Sequence, residues 1–331
     1  MKRRSFPDKP FFSWMAWGML RSCKRRWFLH NFGKELPEPL GRRYHTERKL
    51  SYWQAFAGQL ADDGVTETIR HFKKHRVWRQ DMDSWLHDQA LEYIRDSKSY
   101  TNAAENGDDL PYVKRQVLDR YFYNIIPDRE EHKRVLEEAR QAVRNFYQTE
   151  IPARIESTPA NALMCDHKDG DFPWAEHEGV PVYAVYDFAI RLPERTTIFD
   201  WKTGKVTPEK EANALEQLHW YALYAMQAWH VEPEQIRIAP VFLAANYGYH
   251  ETECDPVRLS NIQAEWKERH AEIKSKMNAA TSIEVLQEEF PMTENLRECA
   301  GCVFHSCPGY QRVREAQTAN PVKFAILGEN D

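Results

Sequence analysis

Two carboxylates and an amine stand at spacings that extended backbone would turn into one site. In Thr196-Thr197-Ile198-Phe199-Asp200-Trp201-Lys202 side chains alternate, so Asp200 and Lys202 share one face of a strand. The preceding segment, Val182 to Leu192, alternates in the same way and groups Asp187 with Tyr183, Val185, Ala189 and Arg191. A carboxylate among apolar neighbours needs a cation or hydrogen-bond donors in place of lost water. If the two strands pair, Asp187 and Asp200 offer hard oxygen ligands suited to Mg2+ or Mn2+, with Lys202 beside them. That set suits phosphodiester hydrolysis: a metal polarises the phosphoryl group and acidifies water, and the lysine orients the water or offsets developing charge. An isolated D-x-K is most often an ion pair at a sheet edge, so the decision rests on context.

The cysteines form the second constellation. Six in 331 residues are too few for a disulfide framework and read as reduced thiols. Cys299, Cys302 and Cys307 make a C-x2-C-x4-C run that lacks one ligand of a four-coordinate site. His305 could complete zinc locally, and spacing alone leaves zinc and iron-sulfur equally open. Cys165 and Cys254 read as ordinary packed residues, with no metal site expected at Cys165-Asp166-His167.

Several elements must position these groups. Glu209 to His230 reads as a helix with the apolar stripe Leu215, Leu218, Ala222, Ala225 and Trp229. Gln217 and Tyr221, four residues apart, share a different face that is free to look into a site. Pro193-Glu194-Arg195 suggests a tight connection between the first two strands, and Ile236 to Ala245 reads as a third, with a further pairing segment through Tyr249. Tyr52 to Arg154 is mostly helical, notably Met82 to Arg95 and Arg129 to Phe146, with Asn102 to Asp109 as a loop. Leu259 to Met277 is a charged amphipathic helix, and Ser13 caps a helix that ends near Cys23. The expected fold is α/β, a small mixed β-sheet flanked by helices with a large helical N-terminal part. Its segments are a basic N-terminal helix with Cys23 (1–50), a helical region (51–158), the core (159–255), and C-terminal helices with the cysteine run (256–331).

Asp187, then Asp200-x-Lys202 on the next strand, then Gln217-Leu218-His219-Trp220-Tyr221 on a helix resembles the PD-(D/E)XK nuclease superfamily. The Q-x-x-x-Y helix is similar to that of its RecB-like branch, including AddB-like and CRISPR-associated RecB-like exonucleases. The resemblance implies a restriction-endonuclease-like core and a metal-dependent deoxyribonuclease, an exonuclease on single-stranded or end-containing DNA. It also allows a non-catalytic DNA-binding or scaffold subunit of the same fold. By resemblance Gln217 and Tyr221 position the site or contact the DNA backbone. The family's upstream Gly, His and Glu are only partly matched by Gly58 to Glu67: Asp62 or Asp63 stands in the histidine's place and Glu67 in the glutamate's.

Iron-sulfur members of that branch place one cysteine near the N-terminus and three near the C-terminus. The resemblance therefore implies a [4Fe-4S] cluster on Cys23, Cys299, Cys302 and Cys307, with zinc as the alternative, in a structural role.

Charge supports a polyanionic partner. Residues 1–50 carry 13 basic and 4 acidic side chains, a balance of +9, whereas residues 51–331 carry 32 and 46, a balance of −14. Arg25 and Arg26, just past Cys23, are the expected DNA contacts.

With 42 % hydrophobic and 29 % charged residues the composition is globular, and no apolar run approaches the roughly 18 residues of a bilayer span. Lys2, Arg3 and Arg4 precede the apolar run Phe11 to Leu20 as in an export signal. The bulky Trp14 and Trp17, Arg21 where a small residue is wanted, and the following Lys24-Arg25-Arg26 argue for a cytoplasmic protein. Thr203-Gly204-Lys205 lacks the remainder of a P-loop, so ATP hydrolysis is not expected. If the protein works with a helicase, as the resemblance implies for RecB-like modules, the motor must be a separate subunit, and another defence or repair subunit is the alternative partner.

Overall fold

In the computed structural model the described residues are 12–113, 115–165, 174–177, 179–244 and 246–319. Lys2, Arg3, Arg4 and Phe11 of the signal-like segment, and Asp166 and His167 of the Cys165 cluster, lie outside them. Strand β1 (Phe12–Ser13) leads into helices α1 (Trp14–Ser22), α2 (Lys24–Phe32) and α3 (Leu40–Glu47). After β2 (Leu50–Ser51) come the long helices α4 (Phe56–His75) and α5 (Met82–Asn106), then β3 (Val117–Leu118) and α6 (Asp119–Phe122). Helices α7 (Arg129–Gln148) and α8 (Ile151–Ser157) precede strands β4 (Leu163–Met164), β5 (Trp174–His177), β6 (Val180–Tyr183), β7 (Phe188–Arg191) and β8 (Thr196–Lys202). Helix α9 (Pro208–Trp229) is followed by β9 (Ile236–Phe242), β10 (Gly248–Tyr249) and β11 (Thr252–Glu253). The last elements are α10 (Pro256–Ala279), α11 (Ile283–Glu288), α12 (Leu296–Ala300) and α13 (Pro308–Ala319). This is the expected mixed α/β architecture. Among the described residues no helix is long and apolar enough to cross a membrane.

The main sheet runs β10-β9-β8-β7-β4, with β11 also on β9. β7 and β8 form the expected antiparallel pair, closed by reciprocal bonds between Leu192 and Arg195. β8 and β9 are parallel, which demands a crossover, and α9 supplies it. Alternation along β8 splits the core. Ile198 faces α9 with Ala189, Ile236 and Ile238, packed against Leu218 and Ala222. Phe199 and Trp201 face the other way with Phe188 and Ile190, against Leu60 and Val65 of α4 and Val143 and Phe146 of α7. Asp200 and Lys202 have the parity of Ile198 and therefore lie on the α9 side. Helix α4 can lie close to α7 because residue 64 is glycine: a Cβ there would stand 2.9 Å from Val143 Cγ2.

Three expectations about these elements need correction. Val182 to Leu192 is two strands, because the chain leaves the small β1-β6-β5 sheet after Tyr183 and joins the main sheet only at Phe188. The break buries Tyr186 against Tyr224 and Trp229, a contact that local alternation does not announce. Asn102 to Asp109 is largely helical: α5 continues to Asn106 and stops at Gly107, whose φ of 78° is the left-handed conformation that ends helices. Helix α9 buries far more than a stripe. Trp220 and Leu223 are as buried as Leu218, because Trp220 packs at 5.7 Å from Trp17 and 4.1 Å from Trp266.

The N-terminal helices belong to this core. Ser13 Oγ caps α1 by accepting the Ala16 N–H at 3.1 Å, as its sequence suggests. Trp27 and Phe28 of α2 stack on Phe290, with centroids 5.2 and 5.7 Å apart, so the two ends of the described chain meet.

Candidate active site

Asp200 lies in the central strand with 2 % of its surface exposed. Antiparallel pairing sets Phe188 opposite Phe199, so the residue before β7, Asp187, comes level with Asp200. Asp187 is fixed there by the main-chain N–H of Trp201, which donates to Asp187 Oδ2 at 2.6 Å.

Gln217 reaches this pair from α9, whose N-terminus is set by Thr207 Oγ1 accepting from the Lys210 N–H at 3.2 Å and by Pro208 at the first turn. Its Nε2 donates to Asp200 Oδ1 at 2.9 Å and to the Tyr221 hydroxyl at 2.6 Å, while its Oε1 accepts from Lys202 Nζ at 2.8 Å. Lys202 Nζ closes the ring on Asp200 Oδ2 at 2.5 Å. Reversing the amide would set oxygen against carboxylate and nitrogen against ammonium, so these neighbours dictate its orientation. Tyr221 is less free than its helix spacing suggests: it is buried in the core and meets the site only through its hydroxyl.

The fourth element is α4. Gly58 passes so close to the end of β8 that a Cβ would stand 2.8 Å from Thr203 Oγ1, and this approach carries the next turn of α4 to the carboxylates. Asp62 is the residue delivered. Its charge raises the pKa of Asp187, and that of Asp200 acts on both. Asp63 points away and accepts from the Tyr93 hydroxyl at 3.0 Å. Glu67 also stands apart, held by Arg79 at 2.8 Å. A cleft of about 420 Å³ opens above Asp62 between α4, α5 and the Arg115-Gln116 segment.

The electrostatics call for a cation. Burial, then Asp63 and Asp200, push the Asp62 carboxyl up to about 7. Asp187 is pushed well above the ordinary carboxylate range by burial, Asp62 and Asp200, and Asp200 is raised by burial against the pull of Lys202. Burial opposes the Lys202 charge, yet Asp200, Asp187 and Asp62 outweigh it, so the amine is raised and stays protonated. Asp62 Oδ1 is buried with no hydrogen-bond partner among the described residues. Among the described residues no three His, Cys, Asp or Glu side chains are placed so that they could hold a metal ion as they stand. At the carboxylates Lys202 provides the neutralising charge, and the hard oxygen donors with one unpartnered atom fit Mg2+ or Mn2+.

The sequence profile of the PD-(D/E)XK nuclease superfamily matches residues 13–308, most of the chain and every part of this constellation. The chain belongs to the PD-(D/E)XK nuclease superfamily. None of the curated proteins compared with it matches.

In this PD-(D/E)XK chain the four cysteines expected as ligands border a common void, although they are not placed to hold a metal ion as they stand. Cys23, at the junction of α1 and α2, lines one small void with Cys299, Cys302 and Cys307, walled by Leu29, Met292 and Phe304. Burial raises the Cys302 thiol to about 12 and also raises Cys299 and Cys307, with Cys23 adding to all three. A Cβ on Gly309 would stand 3.1 Å from Cys299 Sγ, so α13 approaches the thiols through a glycine. His305 is not among them: its ring lies between Tyr123 and Tyr310, at 3.8 and 3.7 Å. Cys165 and Cys254 are buried elsewhere in the core.

Sequence reasoning missed Glu47, which fastens the cysteine loop to α3. It is 3 % exposed, and its Oε1 accepts from the Ser306 N–H at 3.0 Å, the Ser306 hydroxyl at 2.8 Å and the Tyr123 hydroxyl at 3.2 Å. A signal was available, since Glu47 is the one acid within the basic stretch Arg42 to Lys49.

The two expected DNA contacts separate. Arg25 is buried, and its Nε donates to the Phe290 carbonyl at 2.8 Å, so the side chain is turned into the core rather than offered to a phosphate. Arg26 instead lies over the Tyr52 ring at 5.9 Å and shares a basic patch with Arg48 and Lys49, both overlooked in the sequence. None of these three forms an ion pair among the described residues. Burial and the positive charges of Arg48, Arg26 and Lys49 push His30 down to about 4.

Proposed function

We propose that this protein is a Mg2+- or Mn2+-dependent deoxyribonuclease acting on single-stranded or end-containing DNA, with Asp62, Asp187 and Asp200 as metal ligands. The observation that carries the reading is the ring of Asp200, Lys202 and Gln217 beside Asp187 and Asp62. When bound, the metal supplies positive charge that polarises the phosphoryl group and acidifies water. Lys202 enters protonated, so its part is to donate to a phosphate oxygen or to the attacking water, not to take a proton. Gln217 holds Lys202 and Asp200 in mutual register, and Tyr221 anchors Gln217. Burial of the carboxylates excludes water and strengthens each charge interaction.

The [4Fe-4S] reading belongs to the same proposal. Four free thiols around one apolar void support it, with the cluster as a clasp joining residue 23 to residues 299–307. DNA is the polyanion that the cations Arg26, Arg48 and Lys49 would receive.

The deciding experiment is a cleavage assay on end-labelled single-stranded and duplex DNA, with anaerobically purified protein and Mg2+ or Mn2+. Metal-dependent cleavage abolished by a chelator is the expected result. DNA binding without cleavage under any of these conditions would show a non-catalytic scaffold.

A further inference from the structure

The cleft above Asp62 has a wall that carboxylate chemistry does not use. Helix α5 contributes Trp85 and Gln89 to it, facing Gln59 of α4 and the Gln116 side chain. Trp85 is half-buried, and the Arg79 guanidinium lies 5.8 Å from the centre of its ring. Gln59 donates to Ser51 and, at 3.0 Å, to Gln116, which leaves its own buried Oε1 with no partner among the described residues. Arg115 is occupied by Glu92 at 2.9 Å and by Gln89.

This lining is wrong for a phosphate and right for a base. Asp62, Asp63 and Glu67 border the cleft against Arg70 and Arg115; Arg115 is held by Glu92 and Gln89, and Arg70 Nε donates to the Cys165 carbonyl at 3.3 Å, so a phosphate drawn deep into it would meet three carboxylates. A nucleobase is neutral, offers a flat face for an indole, and carries N–H donors on its edge for carboxylate and amide oxygens. The unpartnered Gln59 Oε1 is an acceptor of that kind. At about 420 Å³ the space admits one base with its sugar, whereas a paired base would bring its partner and a second backbone. With Asp62 at its floor, a base held here would leave its phosphodiester beside Asp187, Asp200 and Lys202.

We infer that the cleft is a pocket for one unpaired nucleotide of single-stranded DNA, stacked on Trp85 and read along its edge by Gln59, Gln89 and Gln116. The helical region thereby selects single strands for the site below it. This inference rests on the nuclease reading for the identity of the ligand, but its test needs no cleavage.

The test uses full-length protein in a metal chelator and a short single-stranded oligonucleotide bearing 2-aminopurine, whose fluorescence is quenched on stacking. Binding should quench the probe. Trp85→Ala should abolish the quenching and weaken affinity by about 5- to 100-fold, and Trp85→Phe should restore most of both. Gln89→Ala should weaken affinity several-fold with unchanged thermal melting, so the pocket remains testable if Trp85→Ala folds poorly. A closed duplex with no unpaired base should bind more weakly than the single strand. Unchanged quenching and affinity in folded Trp85→Ala, equal binding of the closed duplex, or no binding of the single strand would each overturn the pocket. Adding Mn2+ then separates the two readings. Trp85-dependent quenching without cleavage would remove the nuclease and keep the pocket, and cleavage without that signal would do the reverse.

Discussion

Asp187 accepts the main-chain N–H of Trp201 at 2.6 Å, so the strand that carries Asp200 also fixes its companion carboxylate. The bond takes one oxygen of Asp187 and leaves the other for the site. Because it comes from backbone, it survives side-chain substitution at residue 201.

Replacing Asp187 by Asn should separate placement from charge. The amide oxygen can still accept from Trp201, so the fold should persist, while loss of one anionic ligand should lower DNA cleavage by at least about 100-fold. Asp200→Ala and Lys202→Ala should each remove nearly all cleavage. Circular dichroism and initial rates at saturating Mn2+ measure both halves, and near-normal rates in all three would sink the site.

Stability of the metal-free protein should depend on pH in a definite sense. Asp62 is held up at about 7 and Asp187 and Asp200 are also raised, so the fold favours their protonated forms. The stability they contribute is present below the ordinary carboxylate range and is lost as pH rises toward about 7. In a chelator, Asp62→Asn should melt higher than wild type at pH 8 and show a flatter pH profile. Mg2+ or Mn2+ should raise the wild-type melting temperature more at pH 8 than at pH 5, because ligation needs deprotonated carboxylates. A metal-induced shift independent of pH would contradict this.

The cysteine clasp predicts colour. Anaerobically purified protein should be brown and hold about four iron atoms per chain, as a [4Fe-4S] centre requires. Cys23→Ser and Cys299→Ser should both lose the iron, and Gly309→Val should deplete it by crowding Cys299 Sγ. Colourless protein with stoichiometric zinc, or full iron content in Cys23→Ser, would refute the ligand set.

Arg25 and Arg26 should behave differently despite their adjacency. Arg25→Ala leaves the Phe290 carbonyl unpaired in the core and should cost about 1–3 kcal/mol of stability. Arg26→Ala combined with Arg48→Ala and Lys49→Ala should leave melting nearly unchanged. For every phosphate that the patch no longer neutralises, the slope of log affinity against log salt should flatten by about 0.7 on a single strand. An unchanged slope in the triple variant would assign the patch to another partner.

The chemistry-bearing residues of the core, and the parity that gathers them, are written in the chain itself. Strand alternation puts Asp200 and Lys202 on one face, and helical spacing puts Gln217 and Tyr221 one turn apart, because both periods are local properties of the backbone. The hairpin at Pro193 to Arg195 and the Ser13 cap are legible for the same reason. The choice between Asp62 and Asp63 is made by packing: the side chains of these neighbours point to different surroundings once Gly58 seats α4 on the end of β8. Packing likewise buries Arg25 and sets Arg26 over the Tyr52 ring, since the partner of Arg25 is the carbonyl of Phe290, 265 residues away. The break at Tyr183 to Phe188 and the wall supplied by Trp85 are hidden from the sequence for a related reason: each depends on contacts between elements distant along the chain, which no local period encodes.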